Sequence, residues 1–241
     1  MLRPILRLSA LALLLLGGGP ALAAPPGPTE WRAVLVAGDN AEPVFDNAVA
    51  ALTRWLAGQG EPAGDIHRLS AAKRPRDPGV EPASAELILD RIAALRPRPG
   101  EGCLVFITSH GQRGAGIWLA YSSEFLRPAS LARALSAGCR AAPTVAILSS
   151  CYSGSFTDMR APNRIIVTAA RSDRPSFGCQ ANRTFTVFDE CLLTALPQAR
   201  TWRAVYDSSR GCVRRRERAL GVLPSRPQAF FGAAVRGLGV R

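Results

Sequence analysis

Two uninterrupted apolar runs, each closed by a short polar motif, constrain the fold of this chain more than any other feature. Cys103-Leu104-Val105-Phe106-Ile107-Thr108 leads into Ser109-His110-Gly111, and Thr144-Val145-Ala146-Ile147-Leu148 leads into Ser149-Ser150-Cys151-Tyr152-Ser153-Gly154. Runs this short, with no polar residue alternating through them, fit strands buried on both faces of a parallel sheet. Open α/β sheets assemble their sites at the carboxyl ends of such strands. One run ends in a histidine and the other in a cysteine, the pair that a thiol nucleophile with a general base requires. The chain has two histidines, and His67, beside Arg68 in a short strand pattern, reads as structural.

Strand and helix patterns alternate around these runs. Trp31 to Gly38 predicts a first parallel strand ending in the turn Gly38-Asp39-Asn40, and Val44 to Leu56 carries helical spacing. Asp65 to Leu69 predicts a short strand, and the charged, proline-rich stretch from Ala71 to Pro82 a loop. Ser84 is placed to cap a helix reaching Leu95. A hairpin around Gly114–Leu119, a helix over Pro128–Ala137 and a strand over Arg164–Ala170 follow. Helices over Phe185–Leu196 and Ala204–Leu220 and a closing strand at Gln228–Phe231 complete the pattern. The alternation predicts an α/β fold: a three-layer α/β/α sandwich with a mostly parallel sheet.

Residues 1–23 read as a signal peptide, with a basic start, an apolar stretch over Leu8–Leu16 and the cleavage signal Ala21-Leu22-Ala23. Residues 24–30 form a proline-rich spacer, and residues 31–241 one domain. Export to the periplasm or the medium is therefore expected, with no stable membrane insertion after cleavage. The net charge is +12, nearly all of it arginine, with Lys73 the only lysine. The densest run, Arg214-Arg215-Arg216-Glu217-Arg218, lies in a helical pattern without interleaved aromatics. It reads as a solvated helix face, and no nucleic-acid partner is expected. The six cysteines include no Cys-x-x-Cys pair and no metal-ligand spacing, so neither a metal nor another cofactor is expected. Cys103 reads as a small buried residue. Cys179, Cys191 and Cys212 are candidates for one bridge, whose pairing the spacing leaves open.

With both motifs in view, the chain resembles peptidase family C13, the legumain-like cysteine peptidases of the caspase-like clan. The resemblance rests on Ser109-His110-Gly111, on Ser150-Cys151-Tyr152-Ser153-Gly154-Ser155, and on the first strand and turn, Val34 to Asn40. Thr168 to Asp173 and Ser176-Phe177-Gly178-Cys179 resemble the bacterial branch. The resemblance implies a caspase-like fold and a cysteine endopeptidase, in some members a transpeptidase, acting on a peptide or protein substrate. Cys151 would be the nucleophile and His110 the general base, and the backbone N–H groups of Gly111 and Cys151 would form the oxyanion hole.

Members selective for asparagine carry an acidic residue two positions before the nucleophile and a basic one after the first strand. This chain has Ser149 at the first place, and Asp39-Asn40-Ala41-Glu42 in the turn. Asparagine specificity is thus not expected. Asp39, Ser149, Asp189 and Trp118 are the candidate pocket residues, and Asp39, Glu42, Asp46 or Asp189 could make a pocket for a basic P1 side chain. The competing readings are a non-catalytic caspase-like binding protein of the cell envelope and a thiol-redox protein. The first would keep the fold without needing both His110 and Cys151; the second lacks a Cys-x-x-Cys pair. P1 preference, activation and oligomeric state leave no signature in the sequence.

Overall fold

The computed structural model describes residues 26–73 and 77–241, so the expected signal peptide lies outside the described residues. In chain order the elements begin with β1 (Trp31–Ala37), α1 (Val44–Gly58), β2 (Ile66–Ser70), β3 (Val80–Pro82) and α2 (Ala85–Ala93). They continue with β4 (Gly102–Thr108), β5 (Gly111–Gln112), β6 (Gly116–Leu119), β7 (Glu124–Leu126) and α3 (Pro128–Cys139). The last are β8 (Thr144–Ser149), β9 (Arg164–Thr168), α4 (Val187–Ala195), α5 (Trp202–Leu220) and β10 (Gln228–Phe231). Short 3-10 turns include Ser153–Asp158, directly after Cys151.

Seven strands form the central sheet in the order β10-β9-β8-β4-β1-β2-β3. All its neighbouring pairs are parallel except β10 with β9. The two apolar runs are β4 and β8, adjacent and buried along their whole length. Their side chains alternate between two cores, as the period of a strand requires. Leu104, Phe106, Val145 and Ile147 pack on one face with Phe45 and Leu52 of α1, Phe188 of α4 and Trp202 of α5. Val105, Ile107, Ala146 and Leu148 pack on the other with Ile88 of α2 and Leu131 and Leu135 of α3. The result is the three-layer sandwich expected from the alternation.

Each of the two helical layers takes part in a disulfide. Cys191–Cys212 joins α4 to α5, one of the pairings left open by the spacing. Cys103–Cys139 joins β4 to α3, which corrects the reading of Cys103 as a mere small buried residue. Cys103 is indeed buried, but the sheet brings α3 over its face, a neighbour that strand periodicity does not reveal. The expected loop before Pro82 contains β3, which adds an edge strand beside β2. The hairpin after His110 has a third strand, β7.

Candidate active site

The site begins where β4 and β8 stop. Thr108 and Ser149 are register partners at the two strand ends, and the Ser109 N–H donates to the Ser149 carbonyl at 3.1 Å. His110 and Cys151 therefore leave the same end of the sheet on neighbouring loops, each two residues beyond that pair. The loops touch at Gly111: a Cβ there would lie 2.2 Å from the Cys151 carbonyl oxygen and 2.9 Å from Ser150 Oγ. Only a residue without a side chain permits this approach.

His110 is held by its hairpin and by α1. The Trp118 N–H donates to the His110 carbonyl at 3.0 Å, and the Ser109 hydroxyl donates to the Trp118 carbonyl at 2.6 Å. The imidazole meets the buried ring of Phe45 edge-on, with ring centroids 5.3 Å apart. Because Trp118 bonds to His110, Gly111 and Ile117 form a non-hydrogen-bonded pair of the antiparallel ladder. That leaves the Gly111 N–H outside the ladder.

Cys151 is braced by the loop that follows β9. Its Sγ accepts from the Ser176 N–H at 3.2 Å and lies 3.4 Å from the Ser176 carbonyl. Tyr152 takes the left-handed conformation (φ 58°), and its N–H donates to the Arg174 carbonyl at 2.9 Å. A Cβ on Gly154 would lie 2.4 Å from Ser172 N, so the two loops are packed backbone to backbone. The Cys151 N–H makes no hydrogen bond among the described residues.

The candidate pocket residues divide. Trp118 is half-buried on the hairpin, tilted against Phe125 at 5.1 Å. Asp39 sits just past β1, and its Oδ1 accepts from the Ala41 N–H at 2.7 Å. Asp39, Ser149 and Asp189 are all buried, so of the four only Trp118 reaches solvent appreciably. Asp189 is 0 % and Ser149 2 % exposed. The Asp189 carboxyl accepts from the Thr108 hydroxyl at 2.7 Å and from the Ser149 hydroxyl, so one buried group on α4 ties together the strand ends carrying His110 and Cys151. Its Oδ1 has no protein partner among the described residues. Burial, only partly offset by the hydroxyls of Ser149, Thr108 and Thr186, pushes this carboxyl up to about 6.

Cys179 is the second free thiol. Burial pushes it up to about 12, and the nearby Cys151, Asp189, Asp39 and Glu42 act in the same direction. Cys179 thus sits among acidic groups, with Cys151 close by. Burial also raises the Asp46 carboxyl, with a Ser70 hydrogen bond opposing it. His67 lies in β2, and burial lowers its pKa; it is remote in the chain from both motifs. No group of three or more His, Cys, Asp or Glu gathers as a metal site among the described residues. Sequence reasoning missed the backbone contacts of Ser176 and the clamp at Asp189, since both depend on loops and helices far away in the chain.

The model of the Peptidase C13 family matches residues 89–204, a span from α2 through both motifs into α5. The fold is similar to that in the "Crystal Structure of Caspase-1 from Spodoptera frugiperda", with a TM-score of 0.63 and 13 % identity. That similarity covers 93 % of this chain and 94 % of the other. At this identity it speaks to the fold alone. No curated protein sequence matches the chain.

Proposed function

We propose that this chain, a C13-like cysteine peptidase, cleaves peptide bonds through a Cys151–His110 dyad. The observation that carries the reading is the contact at Gly111, which seats the histidine motif directly on the carbonyl of Cys151. Cys151 Sγ attacks the scissile carbonyl carbon while its proton passes to the imidazole of His110. The carbonyl oxygen becomes an oxyanion, for which the N–H groups of Gly111 and Cys151 are the donors left over by the fold. Collapse of that intermediate expels the amine, which takes the proton from His110 and leaves a thioester on Cys151. Water, deprotonated by His110, then attacks the thioester and regenerates the thiol. An amine in place of water would give the transpeptidase outcome.

The acidic surroundings favour a basic P1 side chain over an acidic one. Asp39, Glu42 and Asp46 make no ion pair among the described residues, whereas Glu61, Asp65, Glu81 and Glu101 do. A cationic side chain would supply the missing counter-charge. Export, expected from residues 1–23, would place the reaction outside the cytoplasm.

The test compares the purified protein with its Cys151→Ala form on a fluorogenic peptide library varied at P1. Cleavage that favours arginine or lysine and disappears in the variant is the expected result. Cleavage surviving in Cys151→Ala would overturn the dyad. Silence from both, with no labelling of Cys151 by acyloxymethyl ketone peptides, would support a binding protein instead.

A further inference from the structure

Helix α5 carries a dense positive charge that the chemistry above does not use. It buries Trp202, Val205, Ser209, Val213 and Glu217, which turns Arg210, Arg214, Arg215 and Arg218 to solvent. The segment before β10 runs back along the helix, and Arg226 joins Arg210, Arg214 and Arg218 around a groove of about 670 Å³. The one acid inside the run, Glu217, is turned inward and accepts from the Ser225 N–H at 3.1 Å. Arg214, Arg215, Arg218 and Arg226 make no ion pair among the described residues, in contrast to Arg216, which reaches Glu190 at 2.5 Å.

Apolar groups lie just beyond this charge at the end of the helix, Leu220 lining a separate recess with Gln180, Asn182 and Arg183. Leu220 and Leu223 are 49 % and 54 % exposed; among the described residues the only other large hydrophobic so exposed is Tyr121, at 44 %. Gly221, in the left-handed conformation, ends the helix between the two leucines. Leucines contribute nothing to a purely ionic contact. Arginines beside protruding leucines are what an anionic bilayer surface selects: guanidinium groups on the phosphates, alkyl groups between the headgroups. A single-stranded nucleic acid would need stacking groups, and the groove is lined by none; a duplex would use the arginines but leave the exposed leucines without a partner.

The patch and the candidate site share one end of the sheet. Gln228 opens β10 opposite Thr168, the last residue of β9. The Ser225 carbonyl accepts from the Arg171 N–H at 2.9 Å, at the start of the segment that braces Cys151.

We propose that the C-terminal end of α5 and the turn after it dock this protein peripherally on an anionic lipid bilayer. Leu220 and Leu223 enter the headgroup layer, and Arg214, Arg218 and Arg226 pair with lipid phosphates. Docking of this kind involves no membrane-spanning helix, and no helix of the described residues is long and apolar enough to cross a membrane. It would bring the Cys151 end of the sheet to the lipid surface.

The test is sedimentation of the purified protein with sucrose-loaded vesicles, made of phosphatidylcholine alone or of phosphatidylcholine mixed with phosphatidylglycerol, at about 0.1 M salt. The protein is expected to sediment with the anionic vesicles and to remain in solution with the neutral ones. Each arginine near the surface is worth about fivefold in partitioning, so Arg214→Gln/Arg218→Gln should weaken binding roughly 25-fold. Leu220→Ser/Leu223→Ser should weaken it roughly tenfold, with an unchanged melting temperature. Should the helix variant fail to fold, Arg226→Gln in the loop is expected to lose about fivefold. No sedimentation with anionic vesicles would overturn the proposal. So would a leucine variant that binds as tightly as the parent, because the surface would then be an ionic patch with no preference for a bilayer.

Discussion

The two ends of the central sheet are built on opposite electrostatic plans. At the amino end every key acid has a partner: Arg32 reaches Glu101 at 2.5 Å and Asp65 at 3.0 Å, and Arg241 reaches Glu61 at 3.1 Å. Glu61 also accepts from the buried Trp31 N–H at 2.8 Å, and the Trp31 ring packs edge-on against Trp202 at 5.7 Å. The Arg32 hydrogen bond accordingly holds the Glu101 carboxyl below its usual value. At the carboxyl end, Asp39, Asp46 and Asp189 have no cation, and the Cys151 N–H has no acceptor. Unused donors and unneutralised acids cost stability. The acids of one end are neutralised within the fold; those of the other are not.

The contrast breaks most visibly at His110. His110→Ala should lower kcat/KM about 10³-fold, with little change in melting temperature; a variant that keeps its rate would end the dyad reading. Next in size are the covalent links. Replacing Cys191 and Cys212 by serine opens a loop with a sequence separation of 21, and thermal or denaturant unfolding should show a loss of about 3 kcal/mol. Activity below the new melting point should be retained.

Asp189 sharpens the comparison because it belongs to both plans. In the folded protein its carboxyl keeps its proton up to about pH 6, whereas the unfolded chain releases it near about pH 4. Its contribution to stability is therefore complete below the lower value and is lost as the pH rises through the upper one, by about 3 kcal/mol. Asp189→Asn should remove that fall, so the variant gains on the parent between these pH values in urea titrations. A constant difference between the two across the window would show that the carboxyl is ionised throughout.

At the amino end, Glu61→Ala leaves the buried Trp31 N–H without an acceptor. It should cost about 2 kcal/mol in unfolding experiments and leave the peptide-cleavage profile unchanged. The smallest effect is expected at the rim. Glu42→Gln should raise KM a fewfold for peptides with arginine at P1 and leave other peptides as they were. Equal changes across all P1 residues would remove Glu42 from the pocket.

Much of this architecture was legible in the sequence because it is written in short-range periodicity. Apolar runs mark β4 and β8, Ser84 accepts from the Leu87 N–H at 3.2 Å as the cap of α2, and Gln228–Phe231 forms the closing strand. The positions of His110 and Cys151 at strand ends follow from the same runs. β3 escaped notice since an edge strand of Val80–Pro82, with only partial burial, carries no apolar run to mark it. Asp189 was legible as an acid of interest but not in its place: one polar residue on a helix does not say whether it meets water or the underside of a sheet.

By itself the sequence determined which segments are strands and helices, which layers they form, and that a histidine and a cysteine close two buried strands. Local sterics, side-chain period and the cost of exposing apolar surface are enough for that. Only the tertiary structure decided that Thr108 stands opposite Ser149, that Gly111 rests on the Cys151 carbonyl, and that Cys103 meets Cys139. It also decided that Leu220 and Leu223 are left exposed at the end of α5. These are relations between residues distant in the chain, set by strand register and by the packing of helices across a sheet, and no local pattern encodes them.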